Sequence, residues 1–376
     1  MTTVVFSISG HGFGHAARDI EVINALLSQR DDLAIVVRTS APRWLFDLTI
    51  GGRGIEPVGR IAFEPVETDT GIVQIDSLHL DAGETVRRAR EFMRTFDARV
   101  HDEVAALARH RPSFIVADTP PLGVAAGHAL GLPTIALGNF TWDWIYSGYP
   151  GTADLVRAIG RAYSTADRAL RLPMHGGFDA FQRVVDVPFI ARRSQRDPGD
   201  IRRALSLPHQ ERLVLVSFGG YGLEGLDLDA LSRLDGYVAL VSGSVPLADL
   251  PEGLRGGRRG SLLPFDERAM YAAGLRYEDL VRTVDVVVTK PGYGIISECI
   301  ANDTALLYTS RGHFIEYDVL VAEMPRYLRS RFIGHDDLFA GRWKGHLDAL
   351  LGQPPPPEHP PVDGADVVAA YLLDMI

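Results

Sequence analysis

A single cysteine, Cys299, stands in a chain of 376 residues, so no internal disulfide can form and the chain suits a reducing compartment. Its setting, "SECIA", is apolar and reads as core rather than as a nucleophile site. Basic residues are also in short supply: 38 Lys and Arg against 48 Asp and Glu give a net charge of -10. Such a surface repels phosphate backbones, and neither a nucleic-acid partner nor an anionic membrane is expected. No apolar run nears the roughly 20 residues that span a bilayer. The N-terminus "MTTVVFSISG" lacks the basic start and small-residue cleavage site of a signal peptide, so the expected location is the cytoplasm. H-E-x-x-H is missing and no cysteine lies near His11 or His15, which argues against zinc. The G-x-x-x-x-G-K-[ST] pattern of a P-loop is missing too.

What is present is a repeated alternation of buried-strand and helix patterns. "TVVFSIS", "LAIVVRTS", "SFIVADTP" and "PTIALGNF" are short runs rich in β-branched residues, as in parallel strands covered on both faces. "ARDIEVINALLSQ" and "LGVAAGHALG" between them have helical spacing. The pattern restarts at "RLVLVSFGGYG" and continues through "YVALVSG", "VDVVVTKPGYG" and "TALLYTS". This predicts an α/β chain of two Rossmann-like domains, 1–195 and 206–352, joined by a polar arginine-containing segment. "QPPPPEHPPVDG" is a proline-rich spacer, extended rather than helical. Beyond it the segment 364–376 is a helix that can pack back on the first domain.

Two glycine-rich turns follow buried strands, where free backbone amides and a helix N-terminus favour anions. In "SISGHGFGHAARDIE" the spacing is G-x-G-x-G with His15 in the last position, and the second strand ends in Arg38 and Thr39 rather than an acid. Both points speak against a dinucleotide site. In "TKPGYGIISE", Gly292 and Gly294 free amides for a diphosphate, Lys290 adds a charge, and Glu298 lies one helical turn on, within reach of a ribose. The bland alternative is an ordinary strand-helix turn with a solvated glutamate.

A histidine at the mouth of such a turn sits at the carboxyl edge of the sheet, where open α/β folds bind ligands. A base also needs an orienting acid, and Asp118, ending the strand "FIVAD", reaches the same edge. "GNFTWDWIYSGY" offers Asn139, Trp142, Asp143 and Tyr146 as partners for a sugar-like acceptor, or else a buried aromatic cluster. "VQIDSLHLD" adds Asp76, and "SRGHFIEYD" adds Arg311, His313 and Glu316.

Taken in order, "GHGFGHAAR", "VQIDSLHLD", "GNFTWDWIY", "KPGYGIISE" and "RGHFIEYDVL" resemble GT-B glycosyltransferases, and most of all the glycosyltransferase-like N-terminal half of plant L-arabinokinases. The likeness runs to about residue 335, and the kinase half of that family has no counterpart here. The resemblance implies a GT-B fold and an inverting, metal-independent transfer from a nucleotide-sugar, UDP-linked donors included, to a small-molecule or glycan hydroxyl, with no cofactor. It implies His15 as base with Asp118 as its partner. Gly14, Ser217, Gly219, Gly220, Lys290, Gly292, Tyr293, Gly294, Glu298, Arg311 and Glu316 would meet the donor. Asp76, Asn139, Trp142, Asp143 and Tyr146 would meet the acceptor. Lys290-Pro291 departs from the Gly-Gly or Ser-Gly common in those enzymes. A nucleotide-sugar binding module and a nucleotide-sugar 2-epimerase are the competing expectations.

Overall fold

The computed structural model describes residues 2–51, 59–219, 223–241, 258–265, 267–312 and 314–375. Thirteen strands form two parallel sheets among these residues. The first sheet holds β1 (Thr2–Ile8), β2 (Leu33–Thr39), β3 (Ile61–Pro65), β4 (Phe114–Asp118), β5 (Thr134–Phe140), β6 (Arg168–Gly176) and β7 (Val184–Asp186). The second holds β8 (Arg212–Val216), β9 (Tyr237–Val241), β10 (Leu262–Pro264), β11 (Val286–Thr289), β12 (Ala305–Tyr308) and β13 (Ser330–Phe332).

The spatial orders are β3-β2-β1-β4-β5-β6-β7 and β10-β9-β8-β11-β12-β13. In each, the chain starts near the middle, winds to one edge and returns to build the other. The strand order therefore reverses between β1 and β4 in one sheet and between β8 and β11 in the other. Helices on the two sides diverge at such a point and leave a crevice beyond the strand ends. Register carries both crevices to matching depth: Ile8 pairs with Asp118, and Val216 with Val288.

The central strands are buried over most of their length and rich in β-branched residues, so the helices cover both faces. In the first domain Phe6, Ile8, Ile23 and Leu26 share a core with Val368, Ala369 and Leu372 of the last helix, Gly364–Leu373. The second domain builds its core from Val214, Val216, Val286, Val288 and Trp343. Five strands are not evident in the sequence: β3, β6, β7, β10 and β13. Four are short or only part-buried at or near the sheet edges, and β6 alternates buried and half-buried positions around Pro173.

The segment read as a polar connection contains a helix, Pro198–Ala204. Asp197 caps it, its Oδ1 accepting from the amides of Gly199 at 2.8 Å and Asp200 at 3.2 Å, and Pro198 opens the first turn. Ile201 anchors it in the second domain's core. No helix among the described residues is long and apolar enough to cross a membrane.

Candidate active site

The first glycine turn leaves β1 at Ile8, and the Ser9 amide donates to the Asp118 carbonyl at 2.9 Å. Gly12 has φ +71°, a left-handed conformation that a side chain resists. It turns the chain into the helix Gly14–Gln29. His15 lies in the first turn of that helix and is 5 % exposed. Its Nδ1 stands 2.9 Å from Asp118 Oδ1 at the end of β4, and its ring meets Phe140 edge-to-face at 5.3 Å.

Arg18, one helical turn after His15, adds to this pair. Its Nε donates to Asp118 Oδ2 at 2.5 Å, its Nη2 to Asp118 Oδ1, and its Nη1 to Asn139 Oδ1. The same Nη2 lies 2.9 Å from His15 Nδ1. Burial alone would raise the Asp118 carboxyl, but the charges of Arg18 and His15 overcome it and hold the group below the usual carboxylate range. In the tautomer whose Nδ1–H donates to Asp118, the Nε2 lone pair of His15 is left free. Asn139 is fixed in turn, its Nδ2 donating to the Pro173 carbonyl at 2.7 Å. Behind them Asp19 is buried with neither carboxyl oxygen hydrogen-bonded. Burial and the neighbouring Asp118 push its carboxyl well above the usual carboxylate range.

His11 packs edge-to-face on Trp142 at 5.7 Å, and its Nδ1 accepts from the Ile72 amide at 3.3 Å. Burial and the charges of His15, Arg311 and Lys290 lower it to about 3, so it is neutral at physiological pH. Asp69 accepts from Ser9 Oγ at 3.1 Å and Trp142 Nε1 at 2.9 Å. Burial pushes its carboxyl up to about 6.

Across the cleft stands the second turn. The helix Tyr293–Asn302 starts at Gly292, which follows β11. A methyl built on Gly294 would lie 3.6 Å from Gly14 Cα, so the two helices present their N-termini to each other at close range. Lys290 Nζ reaches Gln74 Oε1 of the first domain at 3.4 Å. Burial, and then the charge of Arg311, lowers the Lys290 ammonium to about 8. Arg311 donates from Nη1 to the Pro291 carbonyl at 3.1 Å, lies 3.3 Å from Glu316 Oε1, and covers the Phe314 ring at 3.6 Å. Ser217 Oγ is 2.6 Å from Tyr277 Oη. Ser77 Oγ donates to the Phe218 carbonyl at 2.8 Å, a second tie between the domains.

The cleft between the turns has a volume of about 550 Å³. From the first domain Gly14, His15 and Asn139 line it, together with His11, Arg18 and Gln74. From the second come Ser217, Gly219, Lys290, Gly292, Tyr293, Gly294, Arg311 and Glu316. Asp118 sits behind His15, wholly buried. Gly220 and His313 lie outside the described residues.

Several expected contacts stand away from the cleft. Trp142 and Tyr146 are 1 % and 2 % exposed: the Trp142 indole is spent on Asp69, and Tyr146 Oη donates to the Gly71 carbonyl at 3.0 Å. Asp143 accepts from the Trp144 amide at 2.9 Å. This is the buried-cluster alternative, made because the helix Trp142–Ser147 turns its aromatic side inward. Asp76 is exposed and caps its own turn, its Oδ1 accepting from Leu78 N at 2.7 Å and His79 N at 2.9 Å. Glu298 is buried and accepts from Arg192 Nε at 2.6 Å. The carbonyl of Arg192 accepts from Asn302 Nδ2 at 2.9 Å, so the interdomain segment is tied to the helix Tyr293–Asn302.

Sequence reasoning missed Arg18 and Arg192, while Gln74 of "VQIDSLHLD" does reach the cleft. Arg18 had a signal, being three residues after His15 on a helix. Arg192 had none, since it meets Glu298 across 106 residues. Among the described residues no group of three His, Cys, Asp or Glu side chains is set to hold a metal ion.

No family model matches the chain. It is 27 % identical over 375 residues to L-arabinokinase of Arabidopsis thaliana, covering 98 % of this chain and 34 % of that protein, about a third of its length. Among solved structures, the kitacinnamycin glycotransferase superposes with TM-score 0.63 at 13 % identity, covering 100 % of this chain and 99 % of that one. SnogD, a glycosyltransferase from Streptomyces nogalater, gives 0.58 at 16 %, with coverage of 100 % and 99 %. A UGT from Siraitia grosvenorii in complex with UDP gives 0.57 at 14 %, again with 100 % and 99 % covered. At such identities the likeness bears on architecture, and it agrees with the two sheets and the cleft: the chain has the GT-B fold of glycosyltransferases.

Proposed function

We propose that the protein is a glycosyltransferase that moves a sugar from a nucleotide-sugar to an acceptor hydroxyl, with inversion and without a metal. The observation that carries this reading is the His15–Asp118 pair, 2.9 Å apart, opening onto the cleft opposite the Gly292–Gly294 turn. In the proposed step His15 Nε2 takes the acceptor's hydroxyl proton. The freed oxygen forms a bond to the anomeric carbon from the face opposite the diphosphate. The bond from that carbon to the diphosphate oxygen breaks, and the nucleoside diphosphate leaves with its electron pair. Asp118 supports the imidazolium, and Arg18 keeps Asp118 in place. The amides of the Gly292–Gly294 turn and Lys290 face the departing charge. UDP is the first nucleotide to test, because the Siraitia grosvenorii relative in fold is in complex with UDP.

Incubation with UDP-, dTDP- and GDP-sugars, read by mass spectrometry, tests the assignment. Transfer or hydrolysis that is lost in H15A and D118N supports it, and turnover that survives both substitutions overturns it. A nucleotide-sugar binding module is the second reading. It draws on Glu298, whose carboxylate is engaged by Arg192 rather than turned to the cleft. Nucleotide-sugar binding without turnover would favour it, and a new sugar isomer would favour an epimerase.

A further inference from the structure

An acceptor needs a surface to lie on, and the aromatic residues expected to supply one are buried. Two of the exposed aromatic residues stand nearer the first glycine turn. Phe13 is 41 % exposed, Trp44 45 % and Leu48 41 %. The rings of Phe13 and Trp44 meet edge-to-face with centroids 5.7 Å apart. Trp44 and Leu48 are four residues apart on the helix Arg43–Thr49 and share its outer face, while Leu45 and Phe46 face the core. Phe13 is the N-cap of the helix that carries His15, two residues before it. Phe13 and Pro42 also line the cleft. The apolar strip therefore begins in the cleft, beside His15, and runs out over the first domain.

Single exposed apolar side chains are ordinary, but a group of them at the mouth of a cleft marks a binding surface. We propose that Phe13, Trp44 and Leu48 are the acceptor platform, and that the acceptor carries a flat aromatic group next to the hydroxyl offered to His15. The role of that hydroxyl rests on the transferase reading; the affinity for a flat apolar group does not. Two rings at right angles form a corner with one face and one edge, which suits a third ring. A lipid surface fits less well. The helix's charged residues, Arg43 and Asp47, pair with each other at 3.2 Å, and the chain's net charge is -10, whereas peripheral membrane sites gather unpaired lysines and arginines. A second copy fits less well too, because three side chains fall far short of the roughly 800 Å² per partner in a stable interface.

The test is titration of the protein with 2-naphthol, with cyclohexanol and with phosphatidylcholine vesicles, followed by tryptophan fluorescence and calorimetry, with sedimentation to read the oligomeric state. The expected result is that 2-naphthol binds and cyclohexanol binds at least about tenfold more weakly. Trp44→Ser and Leu48→Ser should each weaken 2-naphthol by about tenfold while the melting temperature holds, since both side chains lie outside the core. The proposal is overturned by equal 2-naphthol affinity in both variants, by no binding up to the solubility of 2-naphthol, by preference for vesicles, or by a wild-type dimer that Trp44→Ser dissolves. Failure of the transferase reading has a separate signature: 2-naphthol binds, but UDP neither binds nor changes that affinity, and no UDP-, dTDP- or GDP-sugar is turned over.

Discussion

At the first switch point a histidine faces the cleft, and its carboxylate stands behind it, clamped by Arg18. At the second, the amides of a glycine turn and an ammonium group face the cleft, and the carboxylate expected there is held by Arg192. The two turns share strand, glycines and helix. They differ in where the charge is directed. The first turn keeps its buried charges paired among themselves and presents a ring nitrogen able to move a proton. The second presents Lys290, a cation drawn down to about 8, and so is ready for an anion. On the proposed reading, one fold element used twice serves as a proton-transfer site and as an anion site.

The sharpest way to break this contrast is H15A. If only the first turn moves protons, transfer should fall by about 10²–10⁴-fold while UDP affinity, measured by calorimetry, stays level. Next is D118A, which leaves the buried Arg18 guanidinium without its counter-charge. Denaturant unfolding should show a loss of about 3–5 kcal/mol, against a smaller loss for E298A, whose partner Arg192 lies nearer the surface. A loss in E298A as large as in D118A would erase the asymmetry.

K290M tests the other turn. Its ammonium titrates near 8 in the fold but near 10.4 in an unfolded chain. The unfolded state holds the proton more tightly, so at neutral pH charged Lys290 destabilises the fold, and that cost fades as pH rises from about 8 to about 10.4. K290M should therefore melt higher than wild type at pH 7, with the gap closing toward pH 10, and should bind UDP about tenfold more weakly. Wild-type affinity for UDP should itself decline above pH of about 8, as the charge is lost. The smallest effect is expected of Y146F. It removes a hydroxyl bonded to the Gly71 carbonyl and to Thr70 Oγ1, for about 1–2 kcal/mol of stability, and leaves acceptor KM unchanged.

The architecture was legible because its central strands are continuous apolar runs, each stopped by the glycines or polar residues that mark a crevice. His15 and Asp118 could be paired from sequence since the turn after β1 and the end of β4 lie at strand ends that the topology makes neighbours. The aromatic residues were misjudged for a physical reason. "NFTWDWIY" has the composition of a sugar platform, but composition does not say which side of a short helix meets the core, and Trp142 is consumed by Asp69, which lies 73 residues away. Phe13 and Trp44 carry no local signal that they stay in solvent. Arg192 belongs to a stretch whose polarity reads as a linker, and only the folded chain brings it to Glu298.

The chain passes between the domains twice, after β7 and again before the last helix. The passages lie side by side: Ile190 bridges Asp363, and the Gly364 amide donates to the Phe189 carbonyl at 2.9 Å. A methyl on Gly364 would meet the Pro188 carbonyl oxygen at 2.3 Å, so the two runs touch backbone to backbone. Mechanically this is a two-ply strap. Laced together, the two passages form one doubled connection, and a side chain at position 364 would part them.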